Sequence, residues 1–411
     1  MARTPKKPPA PGEITRMFEE MVGAPMDEWP DPDALPDEDP ISELIDLFVA
    51  AEAEIVSPPI LQPADVFLDT AGEDIRRRLF VTTGADGEEL CLRPDFTIPV
   101  CREYLSRGVP GRVATMAYMG SVFRQRPGES GEFQQAGIER FGETDRPRAD
   151  AEIFRMAIEA TELFDVLDPE IQIGDEGLFT ALLEALELPL PVRRRLRSLF
   201  GDRAKLEAGL EQLVARDGGD IVAHAGFLGA LAGANPEAAR AVVEDLLAIA
   251  GITAVGGRTA HEIADRFLQQ AALKAEGGLT REKADTIGRF LTISGDPVKA
   301  ARELDRFQRE MHIDIAEAVA TFRARSKAMK ALGIDLASLA FRADFGRNLD
   351  YYTGFVFEIR DPARRDGKPV VGGGRYDGLI ERLGARVSVP AVGFSMWLDR
   401  LAGVELDGGL A

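Results

Sequence analysis

The sequence predicts an α+β fold: an antiparallel sheet flanked by helices, interrupted by a long helical insertion. Three stretches predict it. RNLDYYTGFVFE, from Arg347 to Glu358, followed by the glycine-rich GGGRYDG from Gly372 to Gly378, reads as a strand and a tight turn in tandem. VATMAYMGSVFRQRPGESGEFQQAGIERFG, Val113 to Gly142, reads as strand, polar turn and strand. From Leu178 to Leu332 the composition shifts to alanine, leucine, arginine and glutamate at helical spacing.

With 411 residues the chain exceeds one typical domain and has ample length for a core. Its formal charge of −20 argues against nucleic acid as a partner, because neutralising phosphates requires a basic face. The local exceptions, Arg76 to Arg78 and PVRRRLR from Pro191 to Arg197, read as solvated helix faces. No run approaches the ~20 apolar residues that span a bilayer, and MARTPKKPPAPG lacks the apolar stretch of a secretory signal. The expectation is a cytoplasmic chain without membrane contact. Cys91 and Cys101 form no CxxC motif and read as reduced structural thiols. His224, His261 and His312 are scattered, so neither metal nor cofactor is expected.

Residues 1–40 are proline-rich and acidic, and read as a flexible extension with one short helix over Gly12 to Met21. A first core segment covers 41–177. It opens with a helix over Ile41 to Ala53 and an extended strand, IVSPPILQPADVF. A hairpin over Leu79 to Thr82 and Leu90 to Val100 then feeds a helix that begins near Asp95 and Thr97. In the next strand, period-two alternation places Gln135, Gly137 and Glu139 on one face. A buried Glu139 needs a polar ligand or an arginine, and an internal ion pair is the plain alternative. A helix over Arg148 to Leu167, a strand over Ile171 to Ile173 and a further helix follow. The insertion, 178–332, has turns at Gly218, Gly233, Gly256 and Gly277 and no fixed-period repeat. The second core segment, 333–411, holds Asp350, Tyr351 and Tyr352 at a strand entrance, where Arg375, Tyr376 and Asp377 crowd the same space. A ligand wall is one reading of that cluster; a tyrosine corner packed in an ordinary core is the other.

These residues resemble the class II aminoacyl-tRNA synthetase core, specifically histidyl-tRNA synthetase, over roughly Ile41 to Gly177 and Leu339 to Gly403. IVSPPIL is similar to the dimer-forming first motif, GSVFR with QQAGIERFG to the second, and PAVGFSMWLDRL to the third. RNLDYYTGFVFE and GGGRYDGL resemble the histidine signatures. The resemblance implies that Asp95 and Thr97 hold the α-amino group of L-histidine, and that Gln135, Glu139, Tyr351 and Tyr352 surround the ligand with Glu139 reading its imidazole. It also implies that Arg124 faces a carboxylate or phosphate, and that Arg347 matches the arginine that assists activation.

Three departures separate this sequence from the synthetase. Arg126 stands where the second motif has the glutamate that receives adenine. The loop RPGESGE is short and acidic where the synthetase is basic. Trp397 replaces a small glycine against the nucleotide. The chain also stops after the third motif, so no anticodon-binding domain is expected. A histidine pocket without nucleotide and tRNA features resembles the regulatory subunits of ATP phosphoribosyltransferase. That family implies a non-catalytic, self-dimerising chain that joins the short-form catalytic subunit in a hetero-octamer, for the first step of histidine biosynthesis and its feedback by histidine. A truncated enzyme that adenylates histidine, and a scaffold with a dead pocket, are the alternatives.

Overall fold

The computed structural model describes residues 40–70, 75–166, 168–217, 279–347, 349 and 351–401, together with 241, 245, 254–255 and 258–259. The N-terminal extension apart from Pro40, its short helix, the four insertion turns, His224, His261 and Asp350 lie outside the described residues.

Leu44 and Phe48, one helical turn apart, are the buried stripe of α1 (Pro40–Ala50). The proline-rich stretch after it was expected as one strand and is three pieces: β1 (Glu54–Ile55), β2 (Leu61–Pro63) and the helix α2 (Ala64–Thr70). Pro58 and Pro59 supply no N–H to a ladder, which breaks the strand, and Pro63 ends β2 where a helix can begin. β3 (Val81–Thr83) and β4 (Glu89–Leu92) join β2 in a small sheet of order β2-β4-β3. Arg76 to Arg78, expected on a helix face, run off the end of a helix: Arg76 is its last helical residue, and Arg77 and Arg78 enter the loop before β3.

α3 (Thr97–Ser106) leads to the long antiparallel pair β5 (Ala114–Phe123) and β6 (Glu132–Phe141). Asp145 caps α4 (Arg146–Glu162), accepting from the Arg148 amide at 3.2 Å, and Pro147 sits in the first turn, where its missing N–H costs nothing. β7 (Glu170–Asp175) ends on Asp175, whose carboxylate caps α5 (Glu176–Ala185) through the Gly177 amide at 2.8 Å. Helices α6 (Leu190–Arg197), α7 (Arg203–Asp217), α8 (Arg281–Leu291), α9 (Pro297–Met311) and α10 (Ala316–Ala331) follow, with β8 (Ser294–Gly295) between α8 and α9. His312 ends α9 in a left-handed conformation with φ 53°. The closing strands are β9 (Leu339–Arg342), β10 (Phe355–Arg360), β11 (Val371–Arg375) and β12 (Ala391–Trp397).

The main sheet has nine strands in the order β1-β5-β6-β12-β11-β10-β7-β9-β8. β1 runs parallel to β5 and β9 parallel to β7; the other pairings are antiparallel. Ala136 and Ile138 of β6 face a core shared with α1, α4, α5 and α8 to α10, while Phe133 and Phe141 face a second core shared with α2, α3 and the small sheet. Gln135 and Glu139 have the parity of the second face.

The sheet reaches into the expected insertion, because β8 pairs with β9 at its edge and α10 packs on α4. Val319, Phe322 and Met329 bury one stripe of α10, and Arg325 buries its guanidinium with them. Composition registers helicity and not which surface a helix covers. Arg325 donates to Asp150 of α4 at 3.0 Å and also bonds Asp175; Asp150 is bridged in turn by Arg375 of β11 at 2.6 Å. Replacing Arg325 by Ala leaves two buried carboxylates short of a partner. Chemical denaturation should show a loss of about 3–5 kcal/mol. A loss below about 1 kcal/mol would place the network among pairs that contribute little.

Candidate ligand-binding site

A cavity of about 740 Å³ opens on the α3 face of the sheet. Seven of the eight expected site residues line it: Asp95 and Thr97 from the start of α3, Arg124 past the end of β5, Gln135 from β6, and Arg347, Tyr351 and Tyr352 from the loop before β10. The eighth, Glu139, is not on the wall.

Asp95 is 3% exposed, and its Oδ2 has no hydrogen-bond partner. Burial holds its pKa above the usual carboxylate value, with the Arg124 charge opposing. Gln135 Oε1 is likewise buried without a donor. Facing these acceptors are two guanidiniums without carboxylate partners among the described residues. Arg124 donates through Nε to the Pro94 carbonyl at 2.6 Å, and burial lowers its pKa. Arg347 lies 5.7 Å from the Tyr352 ring and 5.8 Å from the Trp397 ring. It can lie there because residue 372 is glycine: any Cβ on Gly372 would collide with the Arg347 guanidinium.

Glu139 sits one layer deeper, 1% exposed, against Gly393 of β12, where a side chain would overlap its carboxyl. The sequence called for a ligand or an arginine to meet it, and three hydroxyls do. Thr97 Oγ1 donates to it at 2.8 Å, Tyr118 Oη lies at 3.3 Å, and Tyr376 Oη donates to its other oxygen. Alternation along β6 gave the correct face, but depth is decided by α3 and the 376 turn, which one strand cannot reveal. Burial pushes its pKa up to about 8 against the pull of these hydrogen bonds.

The Tyr351 and Tyr352 rings pack 4.9 Å apart between centroids, tilted by 50°, and Tyr351 meets Tyr376 edge-on at 5.8 Å. Trp397 lines the cavity with its ring 4.6 Å from Arg400 and its Nε1 unpartnered. Sequence reasoning missed Tyr118, whose strand position carries no polar signal, and the lining cations Arg77, Arg78 and Lys368. Gln125 could have shown where the first two go, since its amide donates to the Arg78 carbonyl at 2.8 Å and pins that loop beside Arg124. Cys91 and Cys101 are buried and unpaired. No described helix is long and apolar enough to cross a membrane, and no described group of His, Cys, Asp or Glu could hold a metal.

The mixed nine-stranded sheet with its cavity at the α3 face defines a class II synthetase-like core. The histidyl-tRNA synthetase family model matches residues 31–254 and 238–401. Among solved structures, histidyl-tRNA synthetase from Nostoc sp. PCC 7120 superposes with a TM-score of 0.57 at 17% identity, covering 91% of this chain and 74% of its own. An ATP phosphoribosyltransferase regulatory subunit/histidyl-tRNA synthetase from Bacillus halodurans gives 0.56 at 19%, covering 92% and 83%. These likenesses establish the fold. Sequence relatives go further. The ATP phosphoribosyltransferase regulatory subunit of Chelativorans sp. is 41% identical over 371 residues, 89% of this chain and 96% of its own. That of Brucella ovis is 41% identical over 355 residues, 86% and 93%. The chain belongs to the family of ATP phosphoribosyltransferase regulatory subunits.

Glu139 also makes stability depend on pH. Its folded pKa, about 8, lies above the ordinary 4.5, so between these values the native state holds a proton that the unfolded chain has released. Stability therefore falls as pH rises through this window. Glu139→Gln, which cannot ionise, should flatten the decline between pH 5 and 8 by up to a few kcal/mol in urea titrations. Parallel curves for the two proteins would mean that Glu139 titrates normally.

Proposed function

We propose that this chain is a non-catalytic regulatory subunit of ATP phosphoribosyltransferase. It takes free L-histidine into the cavity and acts by assembly with the short-form catalytic subunit, in a hetero-octamer built on a dimer of this chain. Family membership supports the assembly. The exposed apolar residues Ile60, Leu61, Phe80 and Val81 around the small sheet support the dimer.

The charge pattern of the wall carries the ligand assignment. Asp95 Oδ2 and Gln135 Oε1 are buried acceptors without donors, and such orphans cost about 1–3 kcal/mol each. Arg124 and Arg347 are half-buried cations that, among the described residues, find carbonyl oxygens and aromatic faces but no carboxylate partner. An amino-acid zwitterion answers both, its ammonium going to the acceptors and its carboxylate to the guanidiniums. The imidazole is then read by the Tyr351 and Tyr352 hydroxyls and by the Glu139 carboxyl, once the Thr97 hydroxyl turns from it. Ligands that lack a ring N–H leave these groups unpaired, which gives the selectivity.

Catalysis of adenylation is opposed by Arg126, which puts a cation where the synthetase pattern has a glutamate, and by Trp397, whose ring occupies the wall. Calorimetric titration with L-histidine should show binding that Asp95→Asn weakens about ten- to a hundredfold. Gly372→Ala should do the same by displacing Arg347. The complex with the catalytic subunit should be active and inhibited by histidine, with no histidine-dependent pyrophosphate exchange. Absence of histidine binding would remove the ligand assignment, and robust exchange would make the chain an adenylating enzyme.

A further inference from the structure

The cavity is roomier and more basic than a free amino acid requires. At about 740 Å³ it lies in the range that takes a drug-sized ligand. Among the described residues its wall carries seven Arg or Lys side chains against three Asp or Glu, in a chain whose formal charge is −20. Positive charge is gathered here against the sign of the whole protein, and a concave wall focuses its field.

Part of this charge lies away from the amino-acid wall. Arg126 and Lys368 meet on Glu129, Arg126 at 3.3 Å, and Arg126 also approaches Asp399 at 3.8 Å. Arg400 donates to the Pro369 carbonyl at 2.6 Å and lies over Trp397. Burial lowers the Arg400 pKa to about 10, and repulsion from Arg126 and Arg124 adds to the effect against the pull of Asp399. Cations that raise one another's cost are stabilised by an anion placed between them. Glu129 supplies one carboxylate, and at 43% exposure its side chain is free to swing out.

We propose that Arg126, Lys368 and Arg400 form a second binding compartment for a diphosphate group, held without recognition of a base. The diphosphate takes the place of the Glu129 carboxylate. Two planar guanidiniums and an ammonium offer donors enough for both phosphoryl groups. Arg126 carries the distinction from a nucleotide site: it brings positive charge to the position where the synthetase pattern has an adenine-receiving carboxylate. The diphosphate is either free pyrophosphate or the phosphate tail of a nucleotide. This compartment uses side chains other than those assigned to histidine, so pyrophosphate binding without histidine binding would keep this proposal and remove the other.

Calorimetry of the full chain with sodium pyrophosphate, ATP and sodium orthophosphate separates the cases. Pyrophosphate should bind one per chain and at least about tenfold more tightly than orthophosphate, with ATP within about tenfold of pyrophosphate. Arg400→Gln and Lys368→Glu should each weaken pyrophosphate at least about tenfold. Lys368 is 40% exposed, so its variant remains informative if the Arg400 variant fails to fold. The proposal is overturned by no pyrophosphate binding at millimolar concentration, by equal affinity for orthophosphate, or by Lys368→Glu binding as the parent does. ATP binding about a hundredfold tighter than pyrophosphate would mean that the base is read, which also overturns it.

Discussion

Two arginines from distant parts of the chain meet on the Asp150 carboxylate inside the helical flank of the sheet: Arg325 from α10 at 3.0 Å and Arg375 from β11 at 2.6 Å. The carboxylate is 1% exposed, so neither cation can be exchanged for water. Arg375 continues the chain of contacts to Asp377, whose other bonds hold Arg146 and the Ala391 amide. The turn fixed this way presents Tyr376 to Glu139, and Glu139 in turn holds Thr97 at the cavity wall. A helix from the middle of the chain is therefore tied to the binding cavity through buried polar contacts, each dependent on the last. Hydrophobic packing alone would not specify that registry, because the apolar stripe of α10 tolerates small slides and a bonded guanidinium does not.

The same construction explains how a wall can hold unsatisfied groups. Asp95 Oδ2, Gln135 Oε1 and Trp397 Nε1 are buried without partners, and they persist because α3, β6 and β12 are each fixed by bonds made elsewhere. Strain of this kind is ordinary at a binding site and would be costly in a plain core. The glycines of β11 and β12 serve it by omission, since Gly372 leaves room for Arg347 and Gly393 for Glu139.

Much of this was legible in the sequence. The strands around Gln135 and Tyr352, and the shared face of Gln135 and Glu139, follow from alternation, and the family follows from the motifs that resemble it. What the sequence did not show is depth and tertiary neighbourhood. Nothing local says that Glu139 lies beneath Thr97, that a helix ends at Arg76 and leaves Arg77 and Arg78 lining the cavity, or that α10 belongs to the flank of the sheet. Each is decided by a partner far along the chain: Tyr376 for Glu139, Gln125 for Arg78, Asp150 for Arg325. The proline-rich stretch was misread for a different reason, because prolines suit extended backbone yet deny it a ladder, and Pro63 stands where α2 can start.

We read the cavity as offering an amino-acid zwitterion two buried acceptors without donors and two guanidiniums that have no carboxylate partner among the described residues. A crystal structure of the chain grown with L-histidine tests it most directly. The account predicts one histidine in the cavity, its ammonium within hydrogen-bond distance of Asp95 and Gln135 and its carboxylate facing Arg124 and Arg347. Histidine bound elsewhere, or in the cavity with its carboxylate turned toward Asp95, would contradict it.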